Sequence, residues 1–409
     1  MNFRSIFVIT ILSALPFIPP AMAQQAQRLT LASALDLAQK QNLDLVAARA
    51  QRAVALAEVR IAGQRPNPTA FFGALRDTPH ESLFFDQPVE LGSKRSQRIE
   101  LAKQEGALKE TDITALERKV RRDVRDAYFQ LAFARSATAQ RDEAFKLAQR
   151  LLEIANARFQ AGDIPELEVT QAQLESARAK GNLQVAHQEE KVALSDLNAL
   201  LNEPATLDWD LGAAFDALPP PVMLDDLLVR AGASNSEIVR IHQESKVRQS
   251  QTSLLKADRI PNLGLEFGVD FNSPGQGGFR EGARGQVSME LPLFSRNQGE
   301  IAQSIANQQV LDAELASAQR ATDARVESAY YDLEARLAEV QLYRDSILPS
   351  SKHLEEMSEE SYRSGKANIL TVLGAQRDVQ QVERDYLSGL FAVQSAFAQL
   401  EEAVGAPLD

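Results

Sequence analysis

The side chains able to do chemistry are few and far apart. The 409-residue chain has no cysteine and only four histidines, His80, His187, His242 and His353. Without cysteine there are no disulfides, no thiolate metal ligands, no thiol nucleophile and no lipid anchor on an N-terminal cysteine. A metal site needs ligands that converge at about 2 Å, and histidines so widely spaced suggest no convergence. No phosphate loop, HExxH pair or GxSxG elbow occurs. Adjacent acids such as Glu189-Glu190 and Glu401-Glu402 suit solvated helix faces better than paired catalytic carboxylates. The expectation is a protein that is not an enzyme, with no catalytic residue, no cofactor and no resident metal.

The elements that carry these residues follow from composition. Acids outnumber bases, 56 to 44, which argues against nucleic acid as a partner, since phosphate binding needs clustered positive charge. At 44% hydrophobic residues the chain can build a packed fold. Arg4, the apolar run Ile6 to Leu15 and the small-x-small site Ala21-Met22-Ala23 read as a signal peptide over residues 1–23. Beyond it no apolar run approaches the roughly 18 residues of a membrane helix. If the mature chain crosses a membrane, it must do so as strands of a closed barrel.

Proline is absent between Pro88 and Pro165, from Glu166 to Glu203, from Val222 to Ile260, from Leu293 to Leu348 and from Ser350 to Ala406. Proline breaks helix interiors, so these windows admit very long helices. Leu116, Val120, Val124, Ala127, Leu131 and Ala134 mark one narrow apolar stripe; Val379, Val382, Tyr386, Leu390, Val393, Phe397, Leu400 and Val404 mark another. Steps of three and four are those of helices that pack as coiled coils. The chain is also duplicated. Val124–Phe129 (VRDAYF) matches Val326–Tyr331 (VESAYY) at an offset of 202, and Leu91–Lys94 matches Leu293–Arg296 at the same offset. Arg158–Gly162 matches Ser361–Gly365, and Leu167–Gln173 matches Leu370–Gln376, both at 203. Pro66-Asn67 matches Pro261-Asn262 at 195. The two copies are placed at 24–218 and 219–409, with Pro219-Pro220-Pro221 in the linker.

Each copy breaks its helical pattern once, at about 67–91 and about 261–294. In the second copy Leu263, Leu265, Phe267, Val269 and Phe271 alternate with polar or glycine positions. After the glycine-rich 273–278, Val287, Met289, Leu291 and Leu293 alternate with Gln286, Ser288 and Glu290. This predicts a β-hairpin with one apolar and one polar face. In the first copy the same face is assigned to Phe71, Gly73 and Leu75, then Leu83, Phe85, Val89 and Leu91. Such strands fit an outer-membrane barrel with a wet lumen. Four strands cannot close one, so several chains must share it; a small soluble sheet capping a helical bundle is the other reading.

Duplication, paired hairpins and long helices together resemble the TolC family of outer-membrane efflux proteins, over about Leu29 to Pro407. The family's marks are Leu29–Ala38 (LTLASALDLA), Pro66-Asn67-Pro68 and the turns at Phe159 and Tyr362; Gln87–Arg95 (QPVELGSKR) is similar to the CzcC-type branch. The resemblance implies a mainly α fold with a small β part. Three chains would form a twelve-stranded barrel in outer-membrane lipid and a helical barrel across the periplasm. It further implies a homotrimer that docks on a periplasmic membrane-fusion adaptor and serves an inner-membrane pump of the resistance-nodulation-division class, exporting divalent heavy-metal cations. The same channel exporting drugs or secreted proteins, and a soluble periplasmic coiled-coil protein, remain the alternatives. The tips would lie at Arg158–Gln173 and Ser361–Gln376. Phe159, Gly162, Ile164, Tyr362, Gly365 and Ala367 take the adaptor-contact role. Family members often narrow the channel with two acids on the inner helix. The matching positions here are Thr371 and Gly374, which are not acidic; Glu168 and Asp378 are the nearby acids that three copies would turn into rings able to select cations.

Overall fold

The computed structural model describes residues 27–74, 81–211, 215, 217–271 and 281–408. The leader expected at 1–23, Leu75 and the glycine-rich 273–278 lie outside the described residues. In chain order the elements are β1 (Gln27–Leu29), α1 (Leu31–Gln41), α2 (Leu43–Ala62), β2 (Thr69–Ala74), β3 (Glu81–Val89), α3 (Lys94–Gln160), α4 (Glu166–Leu201) and β4 (Trp209–Leu211). The series then repeats as α5 (Leu224–Ser234), α6 (Ser236–Ala257), β5 (Leu263–Phe271), β6 (Glu281–Met289), α7 (Gln298–Leu342), α8 (Leu348–Arg363) and α9 (Ile369–Val404). With 67 residues, α3 spans about 100 Å at 1.5 Å per residue.

The repeat is visible in the caps. Asn42 and Asn235 are both 5% exposed. The Asn42 carboxamide accepts from the amides of Asp44 and Leu45 and donates to the Leu200 carbonyl at 3.0 Å. Asn235 accepts from Glu237 and Ile238 and donates to the Ala403 carbonyl at 2.8 Å. Each asparagine therefore starts a helix and fastens it to the end of its hairpin, satisfying donors that would otherwise be orphaned.

The second hairpin departs from the first at Pro349. Pro349 separates two of the proline-free windows, and the helical run passes through it. The chain takes one π turn at Tyr343–Ile347, where the Leu348 amide donates to the Tyr343 carbonyl, and Pro349 falls in the first turn of α8. The wider turn accommodates a residue that lacks an N–H and whose ring would otherwise strike the preceding turn.

Two apolar cores flank the middle of the molecule. One gathers Val124, Leu131, Leu197, Leu201 and Trp209 beneath the β1–β4 pair; the other gathers Leu227, Val326, Leu333, Val393, Phe397 and Leu400. Both predicted stripes supply these cores. Between them Arg125 donates to Glu401 at 2.7 Å, both side chains under one-tenth exposed, and the guanidinium lies 4.6 Å above the Phe397 ring. Glu401 also accepts from the Leu408 amide at 2.9 Å.

The four long strands make one sheet in the order β2-β3-β5-β6, every pair antiparallel. Strands β2 and β6 are its open edges. Here the register corrects one expectation. Leu83 lies opposite Phe72, and Phe84 opposite Phe71. Residues opposite each other point to the same face. So Phe72, not Phe71, joins Leu83 and Phe85 on the apolar face, while Phe71 and Gly73 turn to the polar one. Phe71 and Phe72 stand side by side on a six-residue strand, and the sequence alternation is too short to choose between them.

Candidate functional site

The apolar face of the sheet is one candidate. Phe85 and Phe267 are opposite residues of β3 and β5 and stack at 5.8 Å between ring centroids. Phe72, Phe267 and Val287 are more than half exposed, and Met289 nearly so. The opposite face holds Ser82, Asp86, Glu266, Asp270, Gln286 and Ser288 by the same register. On that side Arg284 lies 4.8 Å over the Phe84 ring and 3.8 Å from Glu266. Crowding also falls on the polar side. A Cβ on Gly268 would lie 2.9 Å from Phe84 Cα, and one on Gly264 would meet Ser288. Glycine at these positions lets the strands close toward the polar face, as a sheet must to form a barrel. Among the described residues no helix is long and apolar enough to cross a membrane; the strands carry an exposed apolar face.

The two hairpin tips are the other candidate. In the first, the Gly162 amide donates to the Phe159 carbonyl and Asp163 to Arg158; in the second, Gly365 donates to Tyr362 and Lys366 to Ser361. Gly162 and Gly365 have φ of +82° and +73°. These are two copies of one helix stop, in which a left-handed residue lets the next amides cap the last carbonyls.

The tips pack on each other. Leu151, Ile164, Val169, Tyr362, Ile369 and Val372 form a shared apolar cluster. Tyr362 is only 1% exposed and Ile164 8%, so in the single chain they support the tip from within. Arg158 spans the seam; its guanidinium lies 4.9 Å from the Tyr362 ring and donates to the Tyr362 carbonyl at 3.3 Å. Burial pushes the Tyr362 phenol above its ordinary range, against the pull of Arg158. One Glu168 oxygen is buried without a hydrogen-bond partner among the described residues, which turns this carboxylate partly into the seam. A second tie links the hairpins at Arg377 and Glu175, 2.7 Å apart.

Other residues singled out from sequence are on the surface. Phe159 is 43% exposed. Gly162 and Gly365 face open space, and Ala367 is half-buried. Thr371, Gly374 and Asp378 step by three and four, so they share one face of α9; Thr371 and Asp378 are exposed and Gly374 is half-buried. Sequence reasoning did not pick out Leu167 and Leu370 as contact residues. They hold equivalent positions, one turn past each tip, and are 65% and 55% exposed. Their signal was the repeat itself, which sets an apolar residue twice where solvent would favour a polar one. Among the described residues no group of three or more His, Asp or Glu side chains is placed to hold a metal ion.

Comparison with known proteins agrees with this geometry. The cobalt-zinc-cadmium resistance protein CzcC of Cupriavidus metallidurans is 25% identical over 392 residues, 95% of this chain and 93% of that protein. The pyoverdine export outer membrane protein OpmQ of Pseudomonas putida is 24% identical over 299 residues, 68% of this chain and 61% of that protein. The solved structure of the outer membrane protein VceC from Vibrio cholerae superposes with a TM-score of 0.73 at 16% identity, over 93% of this chain and 97% of that one; this likeness is one of fold. The model of the outer membrane efflux proteins matches twice, over residues 34–203 and 227–406. With both halves matched, the chain belongs to the outer membrane efflux protein family.

Proposed function

We propose that this chain is one of three that together form the exit duct of a tripartite efflux system, driven by an inner-membrane pump of the resistance-nodulation-division class, with divalent heavy-metal cations as cargo. The observation that carries the cargo is similarity to CzcC across nearly the whole chain. The duct itself is supported by a sheet with one apolar face and two open edges. An open edge in lipid leaves backbone groups unpaired, and three four-stranded sheets joined edge to edge make twelve strands. Helical surfaces support the same closure. Leu167, Leu174, Val185 and Val192 lie exposed along α4, and Val310, Tyr331 and Leu342 along α7. Each set is an apolar stripe on a helix that needs a neighbour.

In this reading the chain consists of a leader, 1–23, and two repeats, 24–218 and 219–409. The tips face the periplasmic adaptor through Phe159, Gly162, Gly365 and Ala367, with Leu167 and Leu370 added and with Tyr362 and Ile164 as their support. Thr371, Gly374 and Asp378 line the constriction, and Glu168 stands at the seam beside it. Cations pass without tight binding, because a conduit must release what enters it.

Growth of a deletion strain on graded cobalt, zinc and cadmium, beside dyes, antibiotics and an iron-chelating siderophore, tests the cargo. The expected result is selective sensitivity to the metals, reversed by the gene. Sensitivity only to the organic compounds would keep the duct and give it the kind of cargo named for OpmQ.

A further inference from the structure

At the end of the sheet joined to the helices the chain crosses four times, and an exposed arginine marks each crossing. Arg65 lies between α2 and β2, Arg95 in the first turn of α3, Arg259 between α6 and β5, and Arg296 between β6 and α7. None makes an ion pair among the described residues. Arg95 Nε donates to the Gly63 carbonyl at 2.6 Å and Arg296 Nε to the Pro292 carbonyl at 3.0 Å. Each thus has one edge fixed on backbone and other N–H groups left over.

Of the acids in the same band, Glu90 is paired with Arg98 and feels Lys94 and Arg95 only through space, and Asp258 acts on Arg98. Glu290 follows Met289 and so continues the polar face, while Glu300 sits in the first turn of α7. Large apolar side chains flank the arginines. Ile61 is 61% exposed, Ile260 42%, Leu293 63% and Phe294 93%. Only Arg296 has a basic counterpart in the other repeat, Lys94; Arg65 aligns with Ile260 and Arg95 with Asn297.

A guanidinium beside an exposed apolar side chain, at the level where a lipid-facing sheet ends, matches one chemistry: the phosphate and upper acyl chain of a phospholipid. We propose that Arg65, Arg95, Arg259 and Arg296 form a collar that binds anionic phospholipid headgroups of the leaflet on the helix side. Around a three-chain barrel the collar becomes a continuous ring, which sets the depth at which the barrel sits. This rests on the barrel reading above.

The full chain, purified in detergent as its heat-resistant oligomer, is incubated with phosphatidylglycerol or phosphatidylcholine of the same acyl chains, and the retained lipid is counted by native mass spectrometry. Phosphatidylglycerol is expected to be retained several-fold over phosphatidylcholine. The preference should disappear in the variant Arg65→Gln, Arg95→Gln, Arg259→Gln, Arg296→Gln, and millimolar inorganic phosphate should not compete. Because Arg95 and Arg296 also hold backbone carbonyls, the milder pair Arg65→Gln, Arg259→Gln is measured alongside and should lose part of the preference with the oligomer intact. Equal retention by the natural chain and the variants, or displacement by inorganic phosphate, overturns the collar alone. Failure of the natural chain to form a heat-resistant oligomer would overturn the barrel reading with it.

Discussion

Arg125 and Glu401 meet where the two apolar cores touch, and a buried charge is tolerable only while its partner remains. Glu401→Ala removes the buried carboxylate that lies 2.7 Å from Arg125 and 3.7 Å from Arg121 and should destabilise the chain by about 3–5 kcal/mol. The double replacement Arg125→Met, Glu401→Leu should lose much less, as unfolding midpoints in detergent will show. Position 198, the counterpart of Glu401 in the first repeat, holds an asparagine that accepts from the Trp209 indole at 2.6 Å. The two repeats have therefore kept a polar residue at the same point and changed its chemistry. At the tips, Leu167→Glu, Leu370→Glu changes two side chains that are more than half exposed, so stability should shift by under about 0.5 kcal/mol. Metal export and capture of the adaptor should nevertheless fall to background. Tyr362→Ala is the contrasting case; it opens the tip core and should cost about 3 kcal/mol or more, seen as a lower melting temperature.

At the scale of elements, α8 is set apart by its π turn and by an acidic neighbourhood. Burial raises the Glu355 carboxyl above the usual range, reinforced by Glu359, Glu383 and Glu356 and opposed by Lys352. The folded state therefore takes up this proton before the unfolded chain does. Stability of α8–α9 should rise as pH falls from neutral toward the ordinary carboxylate range, and the gain should level off below it. Hydrogen exchange of Leu348–Arg363 amides, corrected for intrinsic rates, should show more protection at about pH 5 than at neutral pH. Glu355→Gln should bring the greater protection to neutral pH.

Much at this scale was legible in sequence. The three-four stripes became the two cores, and Gly162 and Gly365 became matched turns. What escaped was set by single neighbours rather than by period. Phe71 and Phe72 are equally apolar, and only pairing with Leu83 and Phe84 decides which meets the apolar face. Tyr362 reads as a surface turn residue until the first hairpin covers it. Asn42 and Asn235 look like ordinary loop residues until the carbonyls of Leu200 and Ala403, far off in sequence, come within reach. The β1–β4 pair is too short to leave any alternation.

At the scale of the whole molecule the sheet's apolar face makes a direct claim on its surroundings. Phe267 stands midway along β5 on that face, 57% exposed. Phe267→Lys should destabilise the protein in bilayers by about 2–4 kcal/mol, measured by urea unfolding from vesicles. Gln286→Lys, on the polar face, should leave that value nearly unchanged.

The open edges β2 and β6 also have a genetic consequence. In the proposed three-chain ring a chain that supplies two unlike edges must be matched on both sides, so one faulty copy spoils the ring it enters. Where a damaged and an intact gene are expressed equally, only about one ring in eight is wholly intact when three chains assemble at random. Edge-strand lesions should therefore act dominantly over the intact gene, whereas lesions in the proposed leader that keep the chain from reaching the assembly should be recessive.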